Sequence, residues 1–129
     1  MIRRLVSAAR TVQRRAHAPY SNFHVGAALY TERGRIVSGC NVENASYGLT
    51  ICAERGAIMQ LVAEDAGRPV YCVVVGPTAE PLTPCGACRQ VLAEFNRQMV
   101  VVCVGKDGAA IRRTVDELLP AAFDATALT

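Results

Sequence analysis

The chain has 129 residues, 51% of them apolar and 5% aromatic, with a formal charge of +3. That length accommodates one domain with a buried core and no second one, and the composition excludes a disordered chain. So mild a charge with so few stacking residues argues against a nucleic-acid surface, no apolar run approaches the roughly 18 residues of a membrane span, and the N-terminus lacks a signal-peptide core.

Ile2, Leu5, Val6, Ala9, Val12 and Ala16 recur at intervals of three and four, which predicts an amphipathic helix over 2–17 that Pro19-Tyr20-Ser21 ends. Arg3, Arg4, Arg10, Arg14 and Arg15 fall in this segment and read as its solvated face, with phosphate binding the minority alternative. Residues 24–31 and 35–40 are strand candidates, joined by Glu32-Arg33-Gly34 into an antiparallel hairpin. A polar stretch from Asn41 to Thr50 leads into a second helix over 51–64, which Asp65-Ala66-Gly67-Arg68-Pro69 stops. A third strand covers 70–76, and a loop from Gly76-Pro77 to Pro84 opens a third helix over 86–96. A fourth strand at 99–104 turns at Gly105-Lys106-Asp107-Gly108 into an antiparallel fifth near 110–114, and a short helix runs from Thr114 or Val115 to Leu119. Strands alternating with helices, the strands rich in Val, predict a three-layer α/β/α sandwich on a five-stranded mixed sheet, spanning 1–129 as one domain.

Six cysteines in a short chain can mean a disulfide scaffold, but that requires a secretory setting and a loop-rich composition. Cys72 and Cys103 lie in strand-like apolar runs and read as reduced core residues, Cys40 is ambiguous, and the expected compartment is the cytoplasm. Cys52, Cys85 and Cys88 differ from these. They sit at the predicted starts of two helices, where partial positive charge favours thiolates, and Cys85-Gly86-Ala87-Cys88 can turn both sulfurs toward one ion. Four protein ligands close a zinc site and make it structural, whereas three leave a position for water. Glu54 beside Cys52 is then a carboxylate able to take a proton from that water and return it.

Three rival readings compete for these cysteines. A redox Cys-x-x-Cys pair ignores the similarly placed Cys52, a closed structural site would need Cys40 as a fourth ligand, and chance core cysteines do not explain Glu54 or Pro84. Three thiolates on Zn²⁺ leave a net negative site, which Arg55 can correct by donating to sulfur; its bland alternative is a surface helix residue. The order Cys52-Ala53-Glu54, then Pro84-Cys85-Gly86-Ala87-Cys88, resembles the signature of zinc nucleobase deaminases.

Longer blocks narrow that resemblance. Tyr20 to Ala28, Gly39 to Gly48, Cys52 to Arg55 and Pro84 to Leu92 together resemble the small homotetrameric cytidine deaminases over nearly the whole chain. The resemblance implies one zinc per chain on Cys52, Cys85 and Cys88, with Glu54 as proton shuttle. It implies that Asn41 and Glu43 hold the ribose hydroxyls, Phe23 packs against the pyrimidine, and Ala53 contacts substrate. Ala45 and Tyr47 would lie on a loop reaching a neighbouring subunit's nucleoside, and Phe123 would cover the base from another subunit. An amide and a carboxylate can between them donate to and accept from adjacent hydroxyls, although Asn41-Val42-Glu43-Asn44 alone reads equally as a polar turn and Phe23 alone as core.

The implied reaction is hydrolytic deamination of cytidine and 2′-deoxycytidine to the uridines and ammonia, a step of pyrimidine salvage. The alternative is a modified cytosine nucleoside such as blasticidin S, whose deaminases share the zinc motif but not the Glu43 position. A zinc scaffold without activity has no use for Glu54. Two departures from the family pattern stand out: Gly56, where a residue with a side chain is usual, and the ending Asp124-Ala125-Thr126-Ala127-Leu128-Thr129, which lacks the usual Gly.

Overall fold

The computed structural model describes residues 1–128. Its elements are α1 (Ile2–Gln13), β1 (Gly26–Thr31), β2 (Ile36–Cys40), α2 (Ala53–Ala63), β3 (Pro69–Val75), α3 (Gly86–Phe95), β4 (Val100–Val104), β5 (Ala110–Thr114) and α4 (Val115–Leu118). Single 3-10 turns occupy Tyr47–Leu49 and Ala125–Leu128. Among the described residues no helix is long and apolar enough to cross a membrane.

The strands form one sheet in the order β2-β1-β3-β4-β5. Only β3 and β4 pair in parallel, because the chain between them is spent on α3 as a crossover; β4 and β5 are antiparallel, as their short turn requires. Alternation along the inner strands then sorts side chains to two faces. Ala27, Leu29, Cys72, Val74, Val101 and Cys103 pack with Ala57, Ile58 and Leu61 of α2 and Leu92 of α3. Ala28, Val73, Val75, Val102 and Val104 pack with Leu5 and Ala9 of α1. The expected α/β/α sandwich follows directly. β5 is an edge strand whose outward Arg112 and Arg113 discourage pairing with another chain.

Two glycines set how closely the layers approach. A Cβ on Gly26 would lie 2.0 Å from the Ala9 carbonyl oxygen, and one on Gly39 would lie 2.3 Å from the Ala57 nitrogen. The helices therefore rest on the strand backbone itself at these points. The second contact seats the start of α2 on the end of β2.

Element bounds differ from the sequence expectation where long-range pairing overrides local pattern. The periodicity to Ala16 predicts a helix to 17, but α1 stops at Gln13. Residues beyond it are drawn out so that His17 can pair with Val42: the His17 N–H donates to Asn41 O, and the Glu43 N–H donates to His17 O. Likewise β1 begins at Gly26 rather than 24, since the Val25 N–H donates to the Asn41 side chain. Helix α2 begins at Ala53 rather than 51, because Ile51 bridges to Val42 and Cys52 is the N-cap.

Candidate active site

Cys52 and Cys85 are the N-caps of α2 and α3, both with extended backbone, and Cys88 lies in the first turn of α3. The two helix starts thereby bring the sulfurs of Cys52, Cys85 and Cys88 within 4.8 Å of one another. Among the described residues this is the one cluster able to hold a metal, and Cys40, at the end of β2, is outside it. Zinc–sulfur bonds of about 2.3 Å in a tetrahedral site space sulfurs by roughly 3.8 Å. The Cys52 and Cys85 sulfurs are 3.8 Å apart. Three soft ligands within 4.8 Å of one another, with no fourth among the described residues, fit a zinc ion with an open position.

Charge at the cluster is shaped by Arg55, whose Nη2 lies 3.4 Å from Cys52 Sγ. Hydrogen bonds from Cys88 and from Arg55 hold the Cys52 thiol well below its usual range, against the opposing effect of burial. Cys88, donating to Cys52 and itself buried, is pushed up correspondingly. Arg55 Nε is buried with no hydrogen-bond partner among the described residues, so the contact to Cys52 is made through Nη2 alone.

A cavity of about 210 Å³ opens beside the sulfurs, lined by Phe23, Val25, Asn41, Thr50, Cys52, Ala53, Glu54, Val74, Leu82 and Thr83. Glu54 reaches it because it is the second residue of α2, where the helix has only just left the loop. Its side chain is buried, and burial pushes its carboxyl above the ordinary range, with the Cys52 thiolate adding to the effect.

The other sequence-predicted residues divide into three groups. Phe23, Asn41 and Ala53 share the cavity with Cys52 and Glu54. Asn41 uses its side chain to fix the wall: its Oδ1 accepts from the Val25 N–H at 2.8 Å, and its Nδ2 donates to Phe23 O at 2.7 Å. Glu43 and Tyr47 lie in an adjoining pocket with Tyr20, Ser21 and Thr50, and Thr50 borders both spaces. Ala45 is exposed on the same loop, and Phe123 is exposed on the C-terminal segment away from the cavity lining.

The family model for the cytidine and deoxycytidylate deaminase zinc-binding region matches residues 1–104. The chain belongs to this cytidine deaminase family. A cytidine deaminase of Halalkalibacterium halodurans is 49% identical over 111 residues, covering 85% of this chain and 84% of that one. One from Sporosarcina psychrophila is 43% identical over 123 residues, covering 95% and 90%. The crystal structure of a Burkholderia pseudomallei cytidine deaminase matches with a TM-score of 0.91 at 45% identity, covering 95% of this chain and 99% of that one. A Bacillus cereus blasticidin-S deaminase is more distant, 30% identical with 75% and 74% covered.

Within the cytidine deaminase fold, several cavity residues carry no sequence signal. Val25, Val74 and Leu82 make the pocket apolar, yet any strand or loop can contain such residues. Arg89 is more specific: its guanidinium donates to Pro84 O, Leu118 O and Thr83 Oγ1, tying the loop before Cys85 to the end of α4. Its place directly after Cys88 is the only hint of that role.

Proposed function

We propose that this chain deaminates cytidine and 2′-deoxycytidine hydrolytically, giving uridine or 2′-deoxyuridine and ammonia. The observation that carries the reading is Glu54, a buried carboxylate lining the same apolar cavity as Cys52, whose sulfur is clustered with those of Cys85 and Cys88. Zinc held by Cys52, Cys85 and Cys88 supplies the Lewis acid that makes water a nucleophile near neutral pH. Glu54 takes a proton from that water and passes it to N3 of the ring as oxygen adds to C4. The same carboxyl then takes the second proton and delivers it to the amino group, which leaves as ammonia. Burial favours this exchange, because a carboxylate kept from water binds a proton more readily.

Phe23 offers an apolar face for the pyrimidine, while Asn41 and Glu43 hold the sugar hydroxyls. Ala53 borders the ring, and Arg55 tempers the charge of the thiolates. Pyrimidine salvage in the cytoplasm and a homotetramer with shared sites complete the proposal. Tyr47 and Phe123 support the last point, being large aromatic side chains left exposed in a single chain, 78% and 62%. A blasticidin-type substrate is less favoured, since the cytidine deaminase relatives are much closer in sequence.

Glu54→Gln separates chemistry from metal binding. The variant is expected to keep about one zinc per chain while cytidine turnover, followed by ultraviolet absorbance, falls by two to four orders of magnitude, roughly. Turnover near the wild-type rate with zinc retained would refute the shuttle role.

A further inference from the structure

Glu43 is half-exposed, yet its carboxylate is held by the turn opposite it. Oε1 accepts from the backbone N–H groups of Tyr20 and Ser21 at 3.0 and 3.2 Å, and Oε2 accepts from the Ser21 hydroxyl. The Ser21 oxygen in turn accepts from the Phe23 N–H at 3.0 Å, so its own proton remains for Glu43. Asn22, between these residues, has φ +58, a left-handed turn conformation that Asn tolerates. A carboxylate has about four lone-pair positions. Two on Oε1 and one on Oε2 are taken by the turn, which leaves a single acceptor position on Oε2.

We propose that Ser21 is a positioning residue for sugar recognition: its hydroxyl fixes the Glu43 carboxylate so that the remaining Oε2 position is kept for one hydroxyl of the nucleoside sugar. This inference rests on the assignment of Glu43 to the sugar. Without the Ser21 proton only the two backbone N–H bonds to Oε1 remain, and the orientation of Oε2 is no longer fixed by a bond of its own. The hydrogen bond also lowers the proton affinity of Glu43, which keeps it an acceptor at neutral pH. Sugar recognition would thus depend on a side chain that need not touch the sugar.

The test compares cytidine with 2′,3′-dideoxycytidine, which lacks both ring hydroxyls of the sugar, on the zinc-loaded enzyme. Ser21→Ala is expected to raise KM for cytidine about tenfold with kcat within roughly twofold, the scale of one charged hydrogen bond, and to leave kcat/KM for dideoxycytidine unchanged. Ser21→Thr should restore most of the preference. In a Glu43→Gln background Ser21→Ala should add nothing, because the residue acts through Glu43. Zinc content and circular dichroism verify folding, and Ser21→Cys, a weaker donor of similar size, gives an intermediate preference where the alanine variant does not fold.

Equal losses on both substrates, or additive effects in the double variant, would assign Ser21 to the turn and Phe23 alone and overturn the proposal. A preference lost in Glu43→Gln but intact in Ser21→Ala also overturns it, leaving the Glu43 assignment standing. If Glu43→Gln lowers both substrates alike, the sugar assignment falls and this inference with it.

Discussion

Glu54 is 5% exposed, and burial raises its carboxyl pKa above the ordinary value, with the Cys52 thiolate adding to the effect. The consequence for stability has a definite sign. A group that binds protons more tightly when folded destabilises the fold as pH rises from its ordinary value through its raised one, and the penalty persists at higher pH. Below the ordinary carboxylate range the group is protonated in both states and costs nothing. Metal-free Glu54→Gln is therefore expected to melt at a higher temperature than metal-free wild type at pH 7, with the difference disappearing near pH 4. Scanning calorimetry of chelator-treated protein across that range checks it, and a constant difference at all pH values would locate the effect elsewhere. The proposed proton shuttle would thus be retained at the expense of stability, a common trade in active sites. The metal ligands and Glu54 are also the most legible residues in the sequence, since zinc chemistry demands fixed residue types at helix starts.

At the scale of elements, the site depends on how α2 sits on β2, because the N-terminal turn of α2 delivers both Cys52 and Glu54. Gly39 and Gly56 face each other across that contact and behave differently. A Cβ on Gly39 would meet backbone of α2 at 2.3 Å, a clash that only a shift of the helix can relieve. Gly39→Ala is expected to destabilise by about 1–3 kcal/mol or more and, by moving the helix start, to weaken zinc retention. On Gly56 a Cβ would lie 3.4 Å from Cys40 O and 3.8 Å from Gly39 Cα, which is ordinary contact. Gly56→Ala should therefore gain about 0.5–1 kcal/mol from helix preference, with zinc and activity unchanged. Chemical denaturation of both variants measures the two opposite signs. From sequence, Gly56 is visible only as a departure from the family pattern and Gly39 only as part of a block that matches it. Their difference lies in an interlayer distance that no local pattern encodes.

For the whole molecule, the layers and strand directions were legible because alternation, turn length and crossover length are local properties, whereas what lies outside the cavity was not. The end of α1 illustrates this: its 3.6-residue pattern continues to Ala16, but a pairing with Val42, 25 positions after His17, ends it. The C-terminal segment is a second case. No Gly is present, yet Ala121 adopts φ +55, and the segment is held by Gln90 Nε2 donating to Phe123 O at 2.8 Å and by Arg97 bridging Asp116 and Asp124. These bonds fix the backbone and leave Phe123 62% exposed. In the proposed homotetramer this exposed ring would pack against a surface of another subunit. If that surface is a neighbouring subunit's site, Phe123→Ala should impair the neighbour's catalysis and not its own. Mixing supplies the decisive arrangement. Phe123→Ala and Glu54→Gln chains are each expected to be weak alone, but a hybrid unites an intact Glu54 from one chain with Phe123 from the other. With equal amounts reassociated at random, about a quarter of the sites regain both groups. Cytidine turnover of the reassociated mixture should then exceed the sum of the parents, while unmixed controls stay at the parental rates. Turnover no greater than that sum, with hybrids verified by native mass spectrometry, would place Phe123 outside the neighbour's site.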